Sequence, residues 1–168
     1  MTNLLAEAGL VFRAAEMHAV GWGDAFYSRS RGALHNMLRT SLALGRPTRQ
    51  SSYYGRTHQG ARVVTETLPR DFGVHTALGD EKPWWEVDLE ALNYISRIIY
   101  LDRLGYLERG ASLVISVSAD GAQYEVVYRR AGRPLERIID VAISKSARFV
   151  RVDLEDGGPL HFRQVIVL

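Results

Sequence analysis

The sequence predicts an all-β protein, an antiparallel jelly-roll β-sandwich preceded by a short α-helical N-terminal extension. Three observations predict it. From Trp84 onward, short runs alternate apolar with polar residues, turn-forming residues separate the runs, and no long helical period falls between them.

Residues 1–43 carry a different period. Leu4, Leu5, Ala8, Val11, Phe12 and Ala15 recur at helical spacing between Asn3 and about Val20, and Gly21 and Gly23 supply the break. A second helix is predicted from Asp24, a residue suited to an N-cap, through Phe26, Tyr27, Leu34, Met37 and Leu38, with Gly32 as its weak point. From Gly45 the texture changes to turn residues. The polar stretch from Arg46 to Gly60 reads as an extended loop, in which Tyr53 and Tyr54 form either a binding platform or, as the favoured reading, a cover over one open end of the sandwich against the N-terminal helices.

Seven strands are predicted after it: Trp84–Leu89, Tyr94–Leu101, Ser112–Ser118, Tyr124–Arg129, Leu135–Val141, Ala147–Leu154 and Leu160–Leu168. Val150, Val152 and Leu154 fall on one face and Arg151 and Asp153 on the other; Leu113, Ile115 and Val117 likewise oppose Ser116 and Ser118. The turns are Asp120-Gly121, Ala131-Gly132-Arg133-Pro134 and Asp156-Gly157-Gly158-Pro159. Trp84 and Trp85 alternate across a strand, which places Trp85 in the core.

Composition removes several function classes. With 168 residues, 46% of them hydrophobic, the chain can bury a sizeable core without staples. The absence of cysteine excludes disulfides, thiolate metal sites and cysteine nucleophiles. A formal charge of +2 implies no nucleic-acid partner. Charges break every apolar stretch well short of the ~20 residues that cross a bilayer, so neither a membrane partner nor a secretion signal is expected and the cytoplasm is the expected location.

Four ordered motifs resemble the galactose-binding-like β-sandwich superfamily, which includes coagulation-factor type-C (discoidin) domains and F-type lectins. They are Leu44-Gly45-Arg46-Pro47-Thr48-Arg49-Gln50-Ser51-Ser52, Lys82-Pro83-Trp84-Trp85-Glu86-Val87-Asp88-Leu89, Ser118-Ala119-Asp120-Gly121 and Ala147-Arg148-Phe149-Val150-Arg151-Val152. The resemblance spans residues 44–168 and leaves 1–43 outside it. It implies an eight-stranded jelly roll whose loops at one end form a shallow carbohydrate site, with His75, Arg103 and Arg109 at the positions of the lectin histidine and its two basic residues. Tyr106 adds a stacking ring, so that a donor fork, a neutral imidazole and an apolar face are all at hand for a sugar. The lectin aspartate two residues after the first arginine is Gly105 here, and the motif spacings differ by one residue on either side of Arg103, so the resemblance does not extend to fucose specificity. Asp102 to Arg109 instead resembles a loop of discoidin-type domains attached to bacterial polysaccharide enzymes.

The same resemblance implies a structural calcium ion held by backbone carbonyls, an aspartate and a glutamate. Thr65 and Gln164 stand at those acidic positions and Arg163 lies beside one of them, so calcium is not expected; Glu66 remains an alternative ligand. Catalysis is not expected either. Glu86 and Asp88 share one strand face and read as solvated, not as a carboxylate pair across a cleft. Ser51 and Ser52 lack a nucleophile-elbow context, and His75, Asp80 and Glu81 lack a metal-ligand spacing. The reading is a non-catalytic carbohydrate-binding module. Its alternative is a protein-interaction or assembly module with a degenerate sugar site, homo-oligomeric through the N-terminal helices. Arg103 and Arg109 have a plain alternative as surface ion pairs with Asp102 or Glu108, and His75 as a loop histidine anchoring Asp71 or Thr76.

Overall fold

Two long strands that each run through both layers organise the molecule, and the other elements hang on them. The computed structural model describes residues 24–55, 60–103 and 105–168, the side chains of 24–31 excepted. The helix expected over Asn3–Val20 lies outside the described residues. In chain order the elements are helix α1 (Asp24–Thr40) and strands β1 (Thr48–Gln50), β2 (Val74–His75), β3 (Trp84–Asp102), β4 (Leu113–Ser118), β5 (Glu125–Arg129), β6 (Ile138–Leu154) and β7 (His161–Val167). Short 3-10 turns cover Gly60–Val63 and Leu107–Gly110.

All pairings are antiparallel, in the order β2-β7-β3-β6-β4-β5, with β1 on the other half of β3. Trp84–Asp88 of β3 pairs with Phe149–Asp153 of β6, and Asn93–Leu101 pairs with Ile138–Ala147. Between these halves the register shifts, and Glu90 takes a left-handed backbone with φ of 65°. The shift lets one strand serve two sheets. The expected strand pairs 84–89 with 94–101 and 135–141 with 147–154 are therefore one strand each. Seven strands are present among the described residues where the resemblance implied eight.

The core lies between the layers. Trp85, Val87, Ile98, Tyr100, Leu113, Ile115, Val117, Val150, Val152, Leu154 and Phe162 form it, which agrees with the predicted alternation of β4 and β6 and with the buried Trp85. The opposite face of β3 and β7 is also apolar: Met37 and Leu38 of α1 bury Ile99, Leu101 and Ile166. The helix thus packs on its own sandwich. This leaves Tyr53 and Tyr54 exposed, so they are not the cover expected of them.

Candidate functional site

The site grows from the ends of β2, β3 and β7. The pairing of β2 with β7 sets His75 opposite His161, and β3 ends at Asp102, which delivers the loop 103–110 to the same edge. His75, Arg103, Tyr106 and Arg109 do come together there. The ring of Tyr106 is the centre of the group: the Arg103 guanidinium lies 4.9 Å and that of Arg109 4.4 Å from its centroid, and His161 stands edge-on at 6.3 Å. Both distances are those of cation–π contacts. Tyr106 is 50% exposed and holds φ of 65°, a left-handed conformation that is uncommon for a residue with a side chain.

Beneath this surface is an aromatic floor. His75 is 3% exposed, and its Nδ1 donates to the Thr76 carbonyl at 2.6 Å. Tyr54 lies against His75 at 4.5 Å and Phe72 meets it edge-on at 5.0 Å. Phe72 also carries the Arg103 guanidinium at 4.7 Å. His161, 5.4 Å from His75, is 3% exposed and neither ring nitrogen has a hydrogen-bond partner. Burial, then the fields of His75, Arg103 and Arg109, push its pKa down to about 4, so it is neutral at pH 7.

Arg103 is paired, though not with the neighbours considered from sequence. Its Nε and Nη2 donate to Asp71 Oδ1 and Oδ2 at 2.6 and 2.5 Å, a two-pronged bond that holds the Asp71 carboxyl below its usual range. Asp102 has a different partner. Arg130, 1% exposed, donates from Nη1 to Asp102 Oδ2 at 2.9 Å and to the Gly110 carbonyl at 3.1 Å, and from Nη2 to the Glu136 carbonyl at 2.7 Å. Asp102 Oδ1 accepts the Arg103 backbone N–H at 2.8 Å. One buried ion pair therefore grips both ends of the loop that carries Arg103, Tyr106 and Arg109. A Cβ on Gly110 would come within 2.6 Å of Arg130 Nη1, so any side chain there would displace the guanidinium from Asp102. Sequence reasoning missed Arg130, His161 and Phe72, while Tyr54 matches the platform alternative and not the favoured cover.

The expected solvated pair Glu86 and Asp88 is corrected in part. Glu86 is only 2% exposed, covered by Arg49 at 2.5 Å and by the Tyr124 hydroxyl, while Asp88 is held by Arg148 through two bonds of 2.7 Å. Neither faces a cleft. Ser51 and Ser52 both donate to Asp80 and tie the loop before β3. Two hollows, of about 630 Å³ beside Pro47 and Tyr53 and about 230 Å³ between Tyr128 and Asp140, include none of the Tyr106 group.

The residues at the implied calcium position do not fit the ion. Gln164 Nε2 donates to the Thr65 carbonyl at 2.9 Å, the Thr65 hydroxyl turns to the Thr67 carbonyl, and Arg163 Nε donates to the Pro69 carbonyl at 3.0 Å. The Thr65 carbonyl thus accepts an N–H and the Thr67 carbonyl a hydroxyl, an arrangement that competes with a cation for these oxygens. Among the described residues no group of three or more acidic or histidine side chains could hold a metal.

Comparison with known proteins gives a family resemblance and a shared fold. Residues 72–152 match the coagulation-factor type-C family model described as a NedA-like, galactose-binding domain. No curated protein matches the chain in sequence. Among solved structures, a fucose-binding module of Streptococcus pneumoniae aligns with a TM-score of 0.65 at 22% identity, over 76% of this chain and 94% of its own. The lectin domain of lectinolysin, complexed with Lewis B antigen, aligns at 0.66 and 22% over 76% and 95%. Chitosan-binding module 1 of a Paenibacillus sp. IK-5 chitosanase/glucanase aligns at 0.60 and 21% over 76% and 98%. Residues 72–152 are thus similar to a galactose-binding domain of the coagulation-factor type-C family, and the sandwich has the same fold as these modules.

Proposed function

We propose that the protein is a non-catalytic carbohydrate-binding module that takes a glycan on the Tyr106 ring, between Arg103 and Arg109 and above the floor made by His75 and His161. The observation that carries this reading is the meeting of side chains from three separate segments around one exposed, conformationally strained ring. A sugar's C–H face stacks on such a ring while its hydroxyls accept from guanidinium N–H groups. The structures of similar fold include fucose- and chitosan-binding modules, which supports the substrate class. The surface is open, so little apolar area leaves water and single-site affinity is weak; useful retention needs several linked copies.

Tyr106→Gly tests the site with little risk to the fold. Glycine adopts the left-handed backbone without strain, and that relief offsets the entropy it adds to the unfolded chain, a balance of about 0.5–1 kcal/mol each way. The variant is expected to keep the wild-type melting temperature and to lose about tenfold or more in glycan affinity, equivalent to about 1.4 kcal/mol. A glycan array followed by titration measures it, with Arg103→Ala alongside. Equal binding by wild type and both variants removes the site, and failure of the folded wild type to bind any glycan favours the assembly reading.

Calcium independence belongs to the same proposal. Because N–H donors from Gln164 and Arg163 satisfy the loop carbonyls, millimolar calcium and excess chelator are expected to give the same melting temperature. Scanning calorimetry checks this, and a rise with calcium that chelator reverses would overturn it.

A further inference from the structure

The charges around Tyr106 are unevenly paired. Both oxygens of Asp71 are occupied by Arg103. Arg163 on β7 also acts on Asp71 electrostatically, its guanidinium held at the Pro69 carbonyl. Arg109 is exposed, lies on the Tyr106 ring and has no carboxylate partner among the described residues; its neighbour Glu108 is exposed and makes no ion pair. Gly105 contributes no side chain, and His161 is buried and carries no hydrogen bond. Around the Tyr106 ring, Arg103 is therefore paired with a carboxylate and Arg109 is not.

We infer that the glycan this site selects is anionic, and that its carboxylate or sulfate group pairs with Arg109. This rests on the carbohydrate reading above and adds the charge class of the ligand. A neutral hydroxyl leaves the guanidinium charge uncompensated as the ligand displaces water, whereas an oxyanion takes two parallel N–H bonds and neutralises it. The Tyr106 ring already orients the guanidinium, so less side-chain freedom is lost on pairing. The unpaired Arg109 guanidinium on the ring disfavours amino-sugar polymers, whose ammonium groups would meet it as like charge.

The test is calorimetric titration of the full chain with five probes. These are a fucosylated and a galactosylated neutral oligosaccharide, chitotriose, an oligogalacturonate and a sulfated galactan oligosaccharide. The anionic probes are expected to bind about tenfold more tightly than the neutral ones and to lose most of that preference between about 50 and about 500 mM salt. Arg109→Gln is expected to bring the ratio of anionic to neutral affinity close to one, whatever it does to each alone. The carboxylated and sulfated arms show which oxyanion is preferred, and either preference supports the inference. Neutral probes binding as tightly as anionic ones, chitotriose binding tightest, or a preference unchanged in Arg109→Gln overturns the inference and leaves the carbohydrate reading standing. No binding of any probe by the folded wild type removes both.

Discussion

Arg130→Leu is expected to destabilise the protein by about 3–5 kcal/mol, because it strands Asp102 as a buried, unpaired carboxylate. For a chain of this size that corresponds to a fall in melting temperature on the order of 10 °C. The loss is expected to shrink on acidification. Burial already raises the Asp102 pKa against the opposing pull of Arg130, and removing the guanidinium raises it further. A carboxyl whose folded pKa lies above its unfolded value binds a proton on folding, so the variant gains stability as pH falls through the folded pKa toward about 4. A double variant, Asp102→Leu with Arg130→Met, removes both charges and is expected to recover most of the stability. It does not recover binding, since the bonds to Gly110 and to the Arg103 N–H are gone. Denaturant titration at pH 7 and pH 5 with glycan titration of both variants decides the matter; a fully stable Arg130→Leu, or a double variant that binds normally, defeats the assignment.

Acid is expected to weaken the wild-type protein before its surface carboxylates titrate, through His161. The folded pKa of about 4 lies below the ordinary histidine value of 6.5, so the unfolded chain binds a proton that the folded chain refuses throughout that interval. Stability is complete above pH 6.5 and declines by about 3 kcal/mol as pH falls to 4. Asp102 and Asp153, whose pKa values burial raises, act in the opposite direction over part of the same range. The clean comparison is therefore His161→Phe. Neither nitrogen of His161 has a partner, so an apolar ring is expected to cost nothing at pH 7 and to abolish this decline. Parallel pH profiles for the two proteins would show that the imidazole is not the group responsible.

The sandwich was legible in the sequence where a strand keeps one register. The alternation of Leu113, Ile115 and Val117 and of Val150, Val152 and Leu154 identified core-facing sides that the structure confirms. It was not legible across the register shifts of β3 and β6, because a bulge inverts which residues face inward and the period breaks between Asp88 and Asn93. Two-residue β2 has no period at all, yet its pairing is what puts His75 beside His161. The positions His75, Arg103, Tyr106 and Arg109 came from the family resemblance and the ring, and they do converge. Arg130 was hidden because it precedes a turn, Ala131-Gly132, where an arginine reads as exposed; only the distant Asp102 and Gly110 make it a buried one. For Tyr54 the cover was favoured over the platform since nothing local tells which side of a loop a tyrosine covers.

The double-ended grip of Arg130 has a use outside this protein. Anchorage and recognition reside on different atoms: the clamp holds the Asp102 carboxylate and the Gly110 carbonyl, while the side chains at 103, 106 and 109 point their chemistry elsewhere. Libraries that randomise those three positions and retain Asp102, Gly110 and Arg130 would explore new sugar preferences on an unaltered chassis, in the way antibody loops diversify over a constant framework.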